Sequence, residues 1–175
     1  HRWGMFWSLG LMWNIKNEPF LKDIEWLTGA QIALSTGTSG NSEIPYYDHL
    51  ALVSGGPKYN DEAGIYPKQS GNEELSWEQT WSNNIGLRLG FFNRVNLDID
   101  FYHKKTTDML MSVPESYAIT GEGYRWDNIG AMVNRGVEVS VNSDIIRTKD
   151  FTWNLNANVS YNKNKLVELY NGVQE

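Results

Sequence analysis

Two carboxylates stand two positions apart in a stretch of alternating residues, at a spacing that glycoside-cleaving chemistry can use. Asp98 and Asp100 flank Ile99, and in an extended strand their Cα atoms would lie about 6.6 Å apart on one face. The two carboxyl groups of glycosidases are roughly 5 to 9.5 Å apart. Neither acid, however, has the apolar surroundings that a catalytic acid needs. We therefore interpret the pair as part of a hydrated polar wall, and we expect no enzymatic activity.

The other reactive residue types form no catalytic or metal-binding pattern. His1, His49 and His103 lack the spacing of metal ligands, and the sequence contains no cysteine. The net charge of -6 and the pI near 5.1 come without a cluster of Lys and Arg beside the aromatics, which argues against a nucleic-acid surface. We expect no metal, no other cofactor and no nucleic-acid partner.

The elements that must position the acids are long strands with two different faces. Between Ser76 and Asp108, apolar odd-numbered residues alternate with polar even-numbered ones on both sides of a short turn at residues 91–94. The same alternation returns in residues 137–142 and 151–162, with a second short turn between them. A period of two residues is that of a β-strand.

The rest of the chain combines shorter strands with long loops. We predict strands at residues 5–15 and 30–36, with a short helix after Pro19, where apolar residues fall at near-helical spacing. Residues 37–72 and 109–127 are rich in Gly, Ser, Pro and Tyr, and they predict two long loops. Loops of this length are uncommon unless they are functional.

Strand length decides the predicted fold class. Arms of roughly a dozen residues exceed the 5 to 6 residues typical of globular sheets and suffice for the 9 to 11 tilted residues that cross a bilayer. Short turns at one end and long loops at the other are typical of outer-membrane barrels. We therefore predict an all-β fold, an antiparallel transmembrane β-barrel segment of about six long strands. The alternative is a soluble all-β carbohydrate-binding module with two packed sheets.

In the barrel prediction, each set of side chains has its own environment. The odd-numbered apolar residues face lipid, and the polar residues expected to face the lumen are Glu78, Arg88, Asp98, Asp100, Tyr102 and Glu138. Strand aromatics would form two girdles at the headgroups, one from Trp77, Trp81 and Tyr161 and the other from Trp13, Phe91 and Trp153. Loop aromatics that could contact substrate or a lid protein are Tyr46, Tyr47, Tyr59, Tyr66, Tyr117, Tyr124 and Trp126.

Several short motifs, in their order and spacing, carry a family resemblance over nearly the whole chain. They include Leu75 to Thr80, Lys104 to Leu110, Asn128-Ile129-Gly130, Asn134 to Glu138, and Tyr161 to Lys165. Together these motifs resemble the barrel of SusC/RagA-type TonB-dependent transporters.

That resemblance implies a function and a set of partners. Such transporters have a large, plugged barrel of the 22-stranded class and import complex glycans or peptides across the outer membrane of Gram-negative bacteria. They use energy from a TonB complex and work beneath a SusD-like lipoprotein. We expect residues 1–175 to be a partial barrel domain, with the plug domain and the TonB box outside this chain and contact to TonB made through that other region.

Overall fold

The computed structural model describes residues 3–44, 46–47, 49–59, 62–116 and 124–169, and its regular structure consists of strands apart from one 3-10 turn. The strands are β1 (Ser8–Asn14), β2 (Leu27–Asn41), β3 (Leu52–Tyr59), β4 (Glu62–Gln69), β5 (Glu78–Phe91), β6 (Val95–Thr107), β7 (Leu110–Pro114), β8 (Tyr124–Asn128), β9 (Ala131–Arg147) and β10 (Thr152–Glu168). No helix within these residues is long and apolar enough to span a bilayer.

Six strands form one antiparallel sheet, in the order β1, β2, β5, β6, β9 and β10. The pairs β3-β4 and β7-β8 form two separate hairpins. Both hairpins connect strands at the same end of the large sheet, since β2 ends and β5 begins there, as β6 ends and β9 begins. We call this end the loop end. The predicted all-β architecture with about six long strands is confirmed.

The strand register keeps polar and apolar residues on opposite sides of the sheet. Residues directly paired across strands lie on the same face, so each row of partners identifies a face. One row joins Trp13, Ile32, Leu87, Ile99, Val139 and Val159; the row beside it toward the loop end joins Leu11, Leu34, Ile85, Phe101, Val137 and Tyr161. We call this side the apolar face, and the opposite side the polar face.

This sheet is a single layer whose apolar face is uncovered. Trp13, Ile85 and Phe101 each expose 52% of their surface, and Val159 exposes 70%. Within the described ranges, the buried hydrophobic residues are Leu27, Ala30, Val113 and Ala131. A water-soluble sandwich would bury one complete face against a second sheet. The exposed apolar face therefore has the character of a surface that meets lipid.

The strands extend further toward the loop end than the sequence predicted. β2 continues to Asn41 because its polar residues pair with the first residues of β5, Asn41 with Glu78 and Ser39 with Thr80. The predicted loops at residues 37–72 and 109–127 also contain hairpins. Prediction of two irregular loops was therefore wrong, because interstrand hydrogen bonds do not require apolar alternation.

The predicted helix after Pro19 is also absent. A 3-10 turn at Ile15–Asn17 precedes the proline, and bends and turns follow it. Lys16 Nζ donates to the carbonyl oxygens of Leu21, Lys22 and Ile24, each at 2.9 Å. In a helix these carbonyls would point along the axis. Here they converge on one ammonium group, which fixes a compact turn instead.

Candidate functional site

A charged group of side chains lies on the polar face of three adjacent central strands. Arg88 on β5 pairs with Asp98 on β6, and Arg88 Nε lies 4.0 Å from Asp98 Oδ1. Asp100, two residues further along β6, pairs with Glu138 on β9. The register thus assembles one cation and three carboxylates, which we call the charged cluster. It offers hydrogen-bond acceptors to hydroxyl groups and negative charge to cationic ligands.

The geometry around the acids is that of an open wall. Asp98 and Asp100 share a face, as predicted, but both are partly exposed. Asp98 contacts Arg88, whose side chain remains 50% exposed. Glycoside cleavage requires a carboxylic acid held in an apolar pocket. Within the described residues neither carboxylate has such a pocket, so the site's chemistry is that of hydrogen bonding and charge.

A tyrosine covers the neighbouring backbone beside the charged cluster. Tyr102 pairs with Gly136 on β9, and a Cβ atom added to Gly136 would meet Tyr102 Oη at 2.5 Å. The ring therefore occupies the space that a larger residue would need. Lys104 Nζ lies 5.7 Å from the centroid of this ring, within the range of a cation–π contact. The polar face thus carries an ordered aromatic surface as well as charges.

The six residues predicted to face the lumen all lie on the polar face. Arg88, Asp98, Asp100, Tyr102 and Glu138 occupy adjacent rows. Glu78 is further toward the loop end, where its Oε2 accepts a hydrogen bond from the Leu110 backbone at 3.3 Å. That these residues share one face is a finding, whereas their exposure to a lumen remains a prediction.

Asn128 fixes the point where β5, β6 and β8 meet. Its Oδ1 accepts a hydrogen bond from Ser76 N at 2.6 Å. Its Nδ2 donates to the carbonyl oxygens of Ser76 and Asp108, both at 2.9 Å. Gly130, two residues later, has a φ of 87°, a conformation that side chains disfavour. The Asn-Ile-Gly motif thus has a structural explanation that the sequence did not reveal.

Polar contacts also tie the two hairpins together. Ser70, just after β4, donates to Glu115 Oε2 at 2.8 Å. Asn72 Nδ2 donates to Asp127 Oδ1 at 3.1 Å, and Arg125 pairs with Asp127 at 3.0 Å and Glu115 at 3.5 Å. This network was not predicted from the sequence, because its partners are up to 55 positions apart. It holds the two hairpins together at the loop end.

The predicted loop aromatics are distributed over several segments. Tyr46 and Tyr47 precede β3 and are 94% and 66% exposed, whereas Tyr66 on β4 is 43% exposed. Tyr124 and Trp126 are half-buried on β8, on one face opposite Pro114 and Ser112. The Tyr59 side chain and Tyr117 lie outside the described structure. Of this predicted set, the structure brings only Tyr124 and Trp126 onto a common hairpin face.

Trp77, which was predicted to lie in a headgroup girdle, lines a cavity at the loop end. Trp77 is half-buried against Phe6, with ring centroids 5.6 Å apart, rather than exposed in a lipid girdle. Among the residues that the structure describes, none accepts a hydrogen bond from its buried indole nitrogen. The cavity has a volume of about 500 Å³ and is lined also by His49, Asn72 and Leu110.

Comparison with known proteins gives a uniform result. A family model described as "TonB dependent receptor-like, beta-barrel" matches residues 1–174. The chain is 38% identical to TonB-dependent receptor SusC of Bacteroides thetaiotaomicron over 98% of its own length and 18% of the relative's. It is equally identical to TonB-dependent receptor P39 of Formosa agariphila, covering 95% of this chain and 16% of that protein.

Solved structures agree with these sequence relationships. The RagAB peptide importer in its closed-closed state superposes with a TM-score of 0.87 at 38% identity, covering 96% of this chain and 18% of the matched chain. Its open-open state gives a TM-score of 0.86. The chain therefore spans less than a fifth of the length of the relatives that it matches.

Proposed function

Because the chain belongs to the β-barrel family of TonB-dependent receptors, we propose that it forms part of the wall and the outer loops of a SusC/RagA-type outer-membrane importer. The observation that carries this proposal is the continuous apolar face opposite a continuous polar face on strands of up to 17 residues. In this arrangement the apolar face contacts the bilayer and the polar face lines the lumen. The soluble sandwich alternative is set aside, since its faces would be arranged differently.

Exposed aromatic side chains near both ends of the strands support this orientation. Trp81 and Tyr161 lie toward the loop end and are 52% and 63% exposed, and Trp13 and Trp153 lie toward the short turns and are 52% and 50% exposed. Aromatic rings prefer the headgroup level at both membrane surfaces. With the loop end on the cell exterior, both hairpins would project toward incoming substrate.

For the substrate we propose a complex glycan. The polar face presents mainly Asn, Ser and Thr together with the half-buried ring of Tyr102, which suits hydroxyl-rich ligands. The half-buried Tyr124 and Trp126 on β8 add aromatic rings of the kind that stack on sugars. Peptides are the second candidate, supported by the 38% identity to the RagAB peptide importer. The carboxylates Asp100 and Glu138 would then bind amino groups of the peptide.

The proposed partners follow from the same transporter type. A SusD-like lipoprotein would cover the loop end, where the hairpin network gives it an ordered surface. The TonB complex would act through a region outside these residues, together with a plug domain. We propose no enzymatic activity and no nucleic-acid partner for this segment.

Uptake by cells that produce the complete receptor tests the proposal. Labelled oligosaccharides and labelled peptides would be supplied to producing cells, to cells lacking the receptor and to producing cells treated with a protonophore. We expect accumulation of one class that requires both the receptor and an energised inner membrane. Uptake that persists without energy would indicate a passive pore and contradict the proposed function.

Charge removal distinguishes the two substrate classes. The variant Asp100→Asn with Glu138→Gln leaves a neutral glycan its hydrogen-bond acceptors, so glycan uptake should change less than twofold. A peptide that binds through its amino groups would lose two charge-assisted contacts. A reduction in peptide uptake by roughly tenfold or more would favour the second candidate.

A further inference from the structure

Basic residues form a strip on the apolar face, immediately beyond the apolar rows toward the loop end. His103, Arg135 and Lys163 are direct partners across β6, β9 and β10. Lys105 and Lys165 lie one row further, paired on either side of Val133. We call these five residues the basic strip. The row before it, Phe101, Val137 and Tyr161, is entirely apolar or aromatic.

The charged residues at this level of the apolar face are all basic. All five residues of the basic strip are exposed, and none of their side chains has an ion pair or hydrogen bond with any residue that the structure describes. The acids Asp98 and Asp100 of β6 and Glu138 of β9 lie on the opposite face. On the apolar face of β6, β9 and β10, Glu168 is the first carboxylate toward the loop end, one row beyond the strip.

The local shape combines an apolar surface with a cationic edge. A depression of about 510 Å³ is lined by Phe101, Val137 and Tyr161 together with His103, Arg135 and Lys163. Phe101 and Tyr161, which line it, are 52% and 63% exposed. A soluble anion would use only the edge of this depression. An amphiphile with hydrocarbon chains and a negative headgroup would use both parts.

We propose that the basic strip binds the phosphate headgroup of an anionic lipid in the membrane leaflet on the loop side. The lipid's hydrocarbon chains pack on the apolar rows, and Arg135 and Lys163 contact the phosphate, Arg by paired N–H donors and Lys as a point charge. Tyr161 lies one row before His103, Arg135 and Lys163, and Trp81, the partner of Lys105, lies one row beyond them. These two aromatics mark the headgroup region on either side of that row. The inference rests on the proposed function, because it requires the apolar face to lie in a bilayer.

The experiment measures lipid preference in the complete receptor. Receptor in nanodiscs of mixed phosphatidylcholine and phosphatidylglycerol would be released and its bound lipids counted by native mass spectrometry. We expect enrichment of phosphatidylglycerol, reduced about fivefold for each cation removed in Arg135→Gln and in Lys163→Gln. Lys104→Gln, on the same strand as His103 but on the polar face, should leave the enrichment unchanged.

Two controls separate the possible failures. Spin labels at Ile99 and Asp98 report whether the apolar face contacts lipid and the polar face water. If Ile99 reports water, the proposed function fails and the lipid site with it. If Ile99 reports lipid while Arg135→Gln and Lys163→Gln, both correctly folded, keep the full enrichment, the lipid site alone is wrong.

A competition experiment identifies the source of the phosphate. Inorganic phosphate added at tenfold excess over phosphatidylglycerol should not displace the bound lipid, because it gains nothing from the apolar rows. Displacement by inorganic phosphate would show a site for free anions and overturn the assignment to lipid.

Discussion

The two faces of the large sheet use the same strands but treat charge in opposite ways. On the polar face, Arg88 and Asp98 carry opposite charges in direct partnership, and Asp100 and Glu138 add two like charges. On the apolar face, charge begins only beyond the apolar rows, where Arg135 and Lys163 are positive. Water can solvate charges of both signs anywhere on a hydrated wall. Charged side chains are unfavourable within the hydrocarbon layer of a membrane, so they occur only at its edges. The difference therefore indicates which environment each face meets.

Glycines show a second difference between the faces. Gly86, Gly90 and Gly136 lie on the polar face of the central strands, and an added Cβ at each would come within 3.0 Å of a neighbouring atom. Larger side chains such as Asp100 and Tyr102 fill the space above Gly86 and Gly136. The apolar rows of these strands contain larger aliphatic or aromatic side chains instead. Packing on the polar face is thus specific, whereas lipid on the other face, in the proposed orientation, would adapt to its shape.

The largest expected difference in stability is between two variants that each introduce an arginine, one on each face, at neighbouring positions. Leu97→Arg would put a guanidinium on the apolar face among Leu89 and Val141, and Asn96→Arg would put it on the polar face. We expect Leu97→Arg to destabilise the inserted receptor by about 2 to 4 kcal/mol, because hydrocarbon cannot solvate the charge. Asn96→Arg should cost far less. Equal losses in a bilayer folding titration would contradict the assigned sides.

A glycine substitution should have the next largest effect. In Gly136→Ala, the new methyl group would meet the Tyr161 carbonyl oxygen and lie 2.5 Å from Tyr102 Oη. Since a backbone atom cannot move aside cheaply, we expect a loss of about 1 to 3 kcal/mol. Gly10→Ala is the matched control, because its nearest neighbour would be the Leu34 carbonyl oxygen at 3.9 Å. Thermal unfolding of both variants decides this, and similar melting temperatures would argue against close packing around Gly136.

The smallest expected effect concerns like charges on the polar face. Glu138→Gln removes the negative charge paired with Asp100 and should stabilise the receptor by about 0.5 kcal/mol at low salt, since like charges directly opposite repel. Arg88→Gln should instead destabilise it by less than about 1 kcal/mol, because the Arg88 pair is exposed to solvent. Both differences should shrink in 1 M salt. A destabilised Glu138→Gln would mean that Glu138 makes a favourable contact beyond these residues.

The sequence predicted the structure correctly where a single period describes a whole element. The alternation in residues 77–89 and 95–101 predicted β5 and β6 and placed Arg88, Asp98 and Asp100 on one face, which the register confirms. It also located the two short turns near residues 91–94 and 144–150, although β9 continues to Arg147. These features depend only on neighbours along the chain and on the geometry of one strand.

Predictions failed where partners are distant in sequence. Residues 37–41 show no apolar alternation, yet they extend β2 because β5 supplies their hydrogen-bond partners. Lys16 Nζ donates hydrogen bonds to three carbonyl oxygens. These bonds stabilise a turn where a helix was predicted after Pro19. The Asn72 to Asp127 contact joins hairpins that the sequence presented as separate loops.

By itself, the sequence determined the strand period, the polarity of each face and the motifs that identify the family. Those properties are local, since the direction of a side chain in a strand follows from its position alone. Only the tertiary structure decided that Asp100 is paired with Glu138, that Tyr102 covers Gly136, and that three separate basic residues form one row across β6, β9 and β10. Register is set by hydrogen bonds between strands and by their turns, so a shift of one residue would move every side chain to the other face.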